Sequence, residues 1–386
     1  MLNQSLEKRR FYFDYNATSP LAPSVKEWLA KGDFVFGNPS SAHFEGRQAA
    51  KILNETEQLI KNIFSPSLPH LIFHSGATEG INGVIKGHAL KNKTPICFYF
   101  FQSDHKAVLE NKTFLTGLGH HVFVIPIKPT GDIDTQEVQA FIDKNSGEKP
   151  CFLNWTWANN ETGVVHSLAK AELIKKNLNC FIHVDGAQII GKFLGWQQLS
   201  LALDAYTFSG HKIGALLGTG WTFLKNPLEM SALIHGGDQQ LKLRSGTINL
   251  MGVYSLALGL QEQVLNNILA AQKARDLLKD LLTQSLQSWG VHWHSQLSEH
   301  SLSQTLSFSL PQFGGSDLIM AALDIKGVAA SKGSACQAGL SQPSHVLAAM
   351  GLSPELQKSV LRLSFNPKLS SENVSEYHQA ILLAFK

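Results

Sequence analysis

Between about residues 70 and 225 the chain alternates short apolar runs with helical patterns, and this alternation limits the fold more than any other feature. Strands separated by helices pair in parallel, with the helices covering the faces of the sheet. The runs are Leu71 to His74, Ile96 to Phe101, Val122 to Ile127, Cys151 to Trp157, Phe181 to Asp185, Ala205 to Phe208 and Gly220 to Leu224. Most are rich in β-branched or aromatic residues, with Gly, Pro, Asn or Asp nearby, which is the pattern of strands buried on both faces. Residues 44 to 63 set Ile52, Leu59, Ile60 and Ile63 on one helical face, and residues 78 to 90 do the same with Ile81, Val84, Ile85 and Ala89.

Beyond residue 260 the texture changes. A long helical stretch, Leu256 to Leu286, precedes strand-like Thr305 to Leu310, a helix at Asp317 to Leu323, strand-like Val360 to Phe365 and a docking helix from Ser371 to Phe385. The expected architecture is α/β. A large domain over 16–260 holds a mainly parallel seven-stranded sheet flanked by helices, and a smaller α+β domain is made of 1–15 and 261–386.

Composition removes other classes. With 44% hydrophobic and 16% charged residues the chain is neither disordered nor a coiled coil, and 33 basic against 30 acidic residues leave a net charge of +3, too small for a general nucleic-acid binder. No apolar run reaches about 18 residues, and the basic start has no apolar stretch after it, so a cytoplasmic chain without membrane contact is expected. Cys97, Cys151 and Cys180 sit in apolar strand runs and are read as separate small core residues, with no disulfide framework. Sixteen His is a high count, but His120-His121 and the His292-Trp293-His294 pair lack carboxylate or Cys partners at metal-ligand spacing, so no metal is expected.

The chemistry is written at strand ends. Phe208-Ser209-Gly210-His211-Lys212 places a Lys after a strand, and a lysine acts as a nucleophile only when its environment is perturbed or it forms a Schiff base. Pyridoxal 5'-phosphate uses a lysine in that way, and it needs an acid for its ring nitrogen, a phosphate cradle and a stacking ring. Asp185 ends a strand, with Gln188 three residues on. Ser75-Gly76-Ala77-Thr78 joins a strand to a helix start, where backbone N–H groups and the Thr78 hydroxyl would face an anion, and His105 follows another strand. Cys336 differs from the other cysteines because it lies in a small-residue segment, about 331–342, of the kind that leaves a thiol accessible.

These residues, together with Asp14-Tyr15-Asn16-Ala17-Thr18, Gly37-Asn38-Pro39-Ser40-Ser41, Asn159-Asn160-Glu161-Thr162-Gly163, Arg244-Ser245-Gly246-Thr247, Gly333-Ser334-Ala335-Cys336 and Arg362, resemble the NifS/IscS-like cysteine desulfurases of the class V aminotransferase, fold-type I pyridoxal-phosphate family. The motifs run in order over nearly the whole chain. The resemblance implies conversion of L-cysteine to L-alanine, with the sulfur passing to Cys336 as a persulfide for iron–sulfur cluster assembly or tRNA thiolation.

It assigns Lys212 as the Schiff-base lysine, Asp185 to the ring nitrogen, His105 to stacking and to deprotonating the substrate thiol, and Gln188 and Asn160 to the phenolic oxygen side. Ala77, Thr78, Ser209 and His211 fall to the phosphate, as does Thr247 from the other subunit of a homodimer, while Asn38, Asn160 and Arg362 fall to the substrate. Lys332 is one group that could activate the Cys336 thiol. The readings that compete are a selenocysteine lyase or another class V aminotransferase or lyase, and a non-catalytic paralogue that binds the cofactor. Departures from the family pattern are Gln240 in place of an acidic residue, Asn366-Pro367 in place of Gly-Arg, and Ile213 to Leu217 without the common Pro-Lys pair. The chain ends at Lys386 without the extension that docks a scaffold protein in housekeeping members, so a specialised sulfur acceptor is expected.

Overall fold

All seven apolar runs enter one sheet. The computed structural model describes residues 10–64, 66, 68–147, 149–178, 180–294, 300–332 and 343–385. The strands are β1 (His70–His74), β2 (Cys97–Phe101), β3 (His121–Ile125), β4 (Cys151–Thr156), β5 (Cys180–Asp185), β6 (Ala205–Ser209) and β7 (Gly220–Leu224), in the spatial order β1-β7-β6-β5-β4-β2-β3. Only β7 runs antiparallel to its neighbours. Side chains alternate between two cores, as the pleat requires. Cys97, Tyr99 and Phe101 enter one, beside Leu153 and Trp155, whereas Phe98 and Phe100 enter the other with Phe152 and Phe181. Helix α1 (Phe44–Ile63) supplies Ile60 to the first core and α2 (Ala77–Lys91) supplies Ile81, Val84 and Ile85 to the second.

A separate core gathers Phe13 with residues from Ala274 to Ala384, around the antiparallel strands Thr305–Ser309 and Val360–Ser364. The long helix expected from Leu256 to Leu286 is two helices, α3 (Leu250–Val264) and α4 (Ile268–Ser285). The break falls at two asparagines. The Asn267 side chain caps α4 by accepting from Ala270 N at 3.1 Å, and Asn266 Nδ2 donates to Gly191 O at 3.2 Å. An asparagine side chain that bonds backbone groups outside its own helix favours an end over an interior.

The cysteines also differ from expectation. Cys97, Cys151 and Cys180 stand in register on three adjacent parallel strands, and the Cys151 and Cys180 sulfur atoms are in contact across a Cα separation of 4.5 Å, so this pair is not two isolated core residues. Register between strands far apart in sequence is a tertiary property that spacing along the chain does not reveal. Among the described residues no helix is long and apolar enough to cross a membrane.

Candidate active site

One face of the sheet, that covered by α2, is built in three layers from the bottom of the strands to their carboxyl ends. The bottom layer is apolar, with Phe152, Phe181, Ala205, Leu224 and Ile72. Two residues further along each strand lies a buried polar row. His74 Nε2 meets Thr222 Oγ1 at 3.0 Å, Thr222 Oγ1 meets Thr207 Oγ1 at 2.9 Å, Thr207 Oγ1 meets His183 Nε2 at 2.8 Å, and His183 Nδ1 meets Asn154 Oδ1 at 2.8 Å.

The polarity of the row is fixed by its ends. Gly76 N–H donates to His74 Nδ1 at 3.3 Å, so a neutral His74 carries its proton on Nε2. Each hydroxyl then donates onward to His183, which donates to Asn154, whose amide approaches the Asp104 carboxyl. Burial pushes His74 down to about 4 and His183 to about 3, so both rings are neutral. Burial likewise pushes Asp104 up to about 7, against hydrogen bonds from Thr156 and Phe101 N.

The third layer carries Thr156, Asp185 and Ser209, at the carboxyl edge where open α/β sheets bind ligands. Asp185 is buried at the end of β5, its Oδ1 accepting from Ala187 N at 3.0 Å. Lys212 closes the short 3-10 turn Gly210–Lys212 directly after β6, held where the Ser19 hydroxyl donates to its carbonyl at 2.9 Å. His105 caps the helix Lys106–Leu109 and feels both Asp185 and Lys212. Its pKa is lowered by burial first, then by the Lys212 charge, with Asp185 opposing. His105 Nδ1 accepts from Ala107 N at 3.0 Å, which leaves the proton of the neutral ring on Nε2. His211 is pulled to about 4 by burial and by the Lys212 and Lys192 charges, and its Nδ1 meets Thr18 Oγ1 at 3.1 Å.

Ala77 and Thr78 open α2, whose first-turn N–H groups have no partners within the helix. Gly76 enters that turn at φ 152°, a conformation L side chains rarely adopt. Burial alone would raise the Glu79 carboxyl, but hydrogen bonds from Arg244 and Ser75 outweigh it and bring it to about 2. The Arg244 Nε–Glu79 Oε1 contact of 2.9 Å ties the loop that carries Thr247 to this helix start.

The remaining candidate residues form a second group where the two parts of the chain meet. Arg362 is buried, with Nη1 donating to Asn160 O at 3.0 Å and Nη2 to Asp14 Oδ1 at 2.6 Å. Asn16 Nδ2 also donates to Asn160 O, at 3.1 Å, and Gln188 Nε2 donates to Asn16 O at 2.9 Å. Asp14, Asn16 and Lys192, which carried no individual role in the sequence reading, thus touch residues that did. Asp14 and Asn16 sat inside a quoted motif, but nothing local marks Lys192.

Two expected residues stand apart in the single chain. Asn38 is exposed and its bonds are local, Oδ1 accepting from Ser40 N at 3.0 Å, and Thr247 is exposed on its loop. Cys336 lies outside the described residues, but both flanks of its segment are fixed to the site. On one side Ser331 and Arg362 exchange backbone hydrogen bonds. On the other, Ser344 Oγ donates to Glu161 Oε2 at 2.5 Å and His345 Nε2 donates to Asp104 O at 2.9 Å. Lys332, expected as an activating charge, is paired with Asp317.

The donor set fits pyridoxal phosphate. The Ser209 and Ser103 hydroxyls are buried with no hydrogen-bond partner among the described residues, and Ser209 adjoins the lysine turn at the carboxyl edge. A phosphate supplies the acceptors that such orphaned donors and a helix start lack.

Comparison with known proteins follows the same lines. The family model for class V aminotransferases (Aminotransferase class-V) matches residues 11–377. A Bacillus subtilis (strain 168) protein named putative cysteine desulfurase IscS 1 is 31% identical, over 95% of this chain and 96% of its own length. A solved NifS-like protein superposes with a TM-score of 0.84 at 30% identity, covering 98% of this chain and 100% of that one. The structure described as SspA in complex with cysteine superposes with a TM-score of 0.77 at 25% identity, over 93% and 99%.

Proposed function

The chain belongs to the class V aminotransferase family, and from that premise we propose that it is a cysteine desulfurase, which converts L-cysteine to L-alanine with pyridoxal 5'-phosphate on Lys212 and leaves the sulfur on Cys336 as a persulfide. The observation that carries this reading is the anchoring of the segment around Cys336. The described flanks are bonded to Arg362 on one side and to Glu161 and Asp104 on the other, and the sequence between them carries Cys336, the thiol that sulfur transfer needs and an ordinary aminotransferase does not.

When bound, the cofactor supplies an electron sink conjugated to the substrate amine. Asp185 would keep a proton on its ring nitrogen, Thr78, Ser209 and His211 would hold its phosphate, and Gln188 its phenolic side. The Arg362 guanidinium, oriented by Asp14 and the Asn160 carbonyl, presents a fork suited to the substrate carboxylate. The Lys212 amine would move the substrate Cα proton. His105 presents Nε2–H, so it is equipped to stack and to donate; acting as a base toward the thiol requires its Nδ1 cap on Ala107 to give way.

In the sulfur transfer the Cys336 thiolate forms an S–S bond to the substrate sulfur as the substrate C–S bond breaks. The electron pair stays with carbon, which takes up a proton to become the methyl group of alanine, and no external oxidant is needed. The reading extends to a cytoplasmic homodimer, in which Thr247 of each chain serves the other's phosphate, and to a sulfur-acceptor protein, either an iron–sulfur scaffold or a tRNA-thiolation protein. The test is alanine and sulfide release from L-cysteine by the cofactor-loaded protein with a thiol reductant. Equal yields that vanish in Cys336→Ser and in Lys212→Ala are expected, and alanine formation that persists in Cys336→Ser would overturn the persulfide route.

A further inference from the structure

Lys192 is a buried titratable group that the chemistry above leaves unused. The residue is 1% exposed, yet among the described residues the only hydrogen bond its side chain makes is from Nζ to Gln188 Oε1, at 3.1 Å. A buried ammonium with one neutral acceptor is costly, and a chain normally replaces such a residue with an apolar one. The charged groups that act on it are Lys212 and Arg362, with His211 also within range of its charge, so among the described residues no carboxylate compensates for it. Burial, with those two cations, pushes its pKa well below the ordinary lysine value.

Its backbone is equally constrained. Ser303 N donates to Lys192 O at 2.8 Å, which fixes the residue at the seam with the strand Thr305–Ser309. That seam is polar and under-satisfied, for Asn16 Oδ1, Ser303 Oγ and both amide atoms of Gln304 are buried without partners among the described residues.

The amide of Gln188 shows what Lys192 does there. The Asn16 carbonyl can only accept, so Gln188 must turn Nε2 toward it, at 2.9 Å, and Oε1 toward Lys192, which donates in either protonation state. One Nε2 hydrogen is then left for a ligand. Without Lys192 the Oε1 atom is an unpartnered buried acceptor, and the amide is held at one end only.

We infer that Lys192 is a positioning residue of the cofactor site: it locks the Gln188 amide in the flip that leaves an N–H for the phenolic oxygen of pyridoxal phosphate. The inference rests on the function proposed above. Donation to that oxygen favours its anionic form and so eases loss of the proton it shares with the Lys212 nitrogen. Loss of the lock therefore moves that titration to higher pH.

The test is a pH titration of the visible absorption band of the cofactor carried by Lys212, in Lys192→Met, Gln188→Leu and the double variant. Lys192→Met is expected to raise the midpoint by about one pH unit, and to add less than about 0.3 unit in the Gln188→Leu background, because it acts through Gln188. No shift, or an equal shift in both backgrounds, would overturn the inference. Should Lys192→Met fail to fold, Lys192→Leu, which likewise removes the donor, is read in the same way. A wild-type protein that takes up no chromophore defeats the cofactor reading itself, which is a separate result from an unshifted titration.

Discussion

Ser344 donates from its hydroxyl to Glu161 Oε2 at 2.5 Å, joining two residues 183 positions apart in sequence. Glu161 is buried beside the site, and Ser344 caps the helix His345–Ala349 by accepting from Leu347 N at 3.1 Å. One hydroxyl therefore fastens the carboxyl-side flank of the Cys336 segment and begins the helix that follows it. Ser344→Ala removes both bonds and leaves a buried carboxylate short of a donor, at a cost of about 1–3 kcal/mol. Alanine formation is expected to fall at least about tenfold while cofactor content stays at the wild-type level, since no cofactor ligand is touched. Absorbance of bound cofactor measured beside turnover checks this, and parallel loss of both would contradict it.

The Arg362 guanidinium uses two nitrogens on two different acceptors, Asn160 O and Asp14 Oδ1. A lysine carries the same charge on one atom and cannot span both while also facing a substrate carboxylate. Arg362→Lys is expected to raise KM for L-cysteine about tenfold or more, with a smaller change in kcat and no loss of cofactor. Steady-state kinetics decide the matter, and an unchanged KM would remove Arg362 from the carboxylate site.

Buried neutral histidines make the fold sensitive to acid. Burial lowers His74, His88 and His211 to about 4, and His183 and His294 to about 3. An unfolded histidine takes up its proton near pH 6.5, so between pH 6.5 and those values the unfolded chain binds more protons. The stability these groups contribute is present above pH 6.5 and is lost as pH falls. Asp104, raised to about 7 by burial, acts in the opposite sense: its contribution is full below the ordinary carboxyl range and is lost as pH rises through 7, so it offsets one histidine. Urea midpoints are expected to drop clearly from pH 7 to pH 5. Among the described residues the His294 ring bonds to Ser307 and Ser309, and His294→Asn is expected to recover about 2 kcal/mol of that difference. Equal midpoints at the two pH values would contradict the assignment of these rings as neutral.

The strands and the residues at their carboxyl ends were readable because each is a local pattern. An apolar run followed by Ser-Gly-Ala-Thr, Asp or Ser-Gly-His-Lys signals both the element and the edge on which its ligand sits, and β1, β5 and β6 deliver those residues to one rim. What resisted reading is set by contacts between distant segments. Lys192 follows a glycine in an unremarkable turn, and only the seam with Ser303 and the amide of Gln188 gives it a place. The registered Cys97, Cys151 and Cys180 depend on strand pairing, and the break at Asn266 and Asn267 depends on Gly191, some 75 residues away. The proton position on His105 follows from one backbone amide two residues on, which no residue pattern encodes.

His74 and Gly80 form another such pair, and they give the sharpest test of the polar row. A Cβ on Gly80 would overlap His74 Nε2 and lie 2.7 Å from Thr207 Cγ2, so the imidazole occupies the space that glycine leaves on α2. Gly220 makes the same allowance on β7, where a Cβ would sit 2.8 Å from His74 Cε1. Ordinarily alanine in a helix interior is worth about 1 kcal/mol over glycine. Here the ring cannot retreat without breaking its bonds to Thr222 and Gly76, so Gly80→Ala is expected to destabilise the protein by about 1–3 kcal/mol. The His74→Ala change removes the obstacle and also the first bond of the row. In a double-mutant cycle by urea unfolding the two changes together are expected to cost less than their sum by about 1 kcal/mol or more, because the methyl group then enters the vacated space. Strict additivity would mean that the ring and the glycine are not in steric register. A Gly80→Ala variant as stable as the parent would show that the helix start, and the cradle it carries, can move away from the sheet.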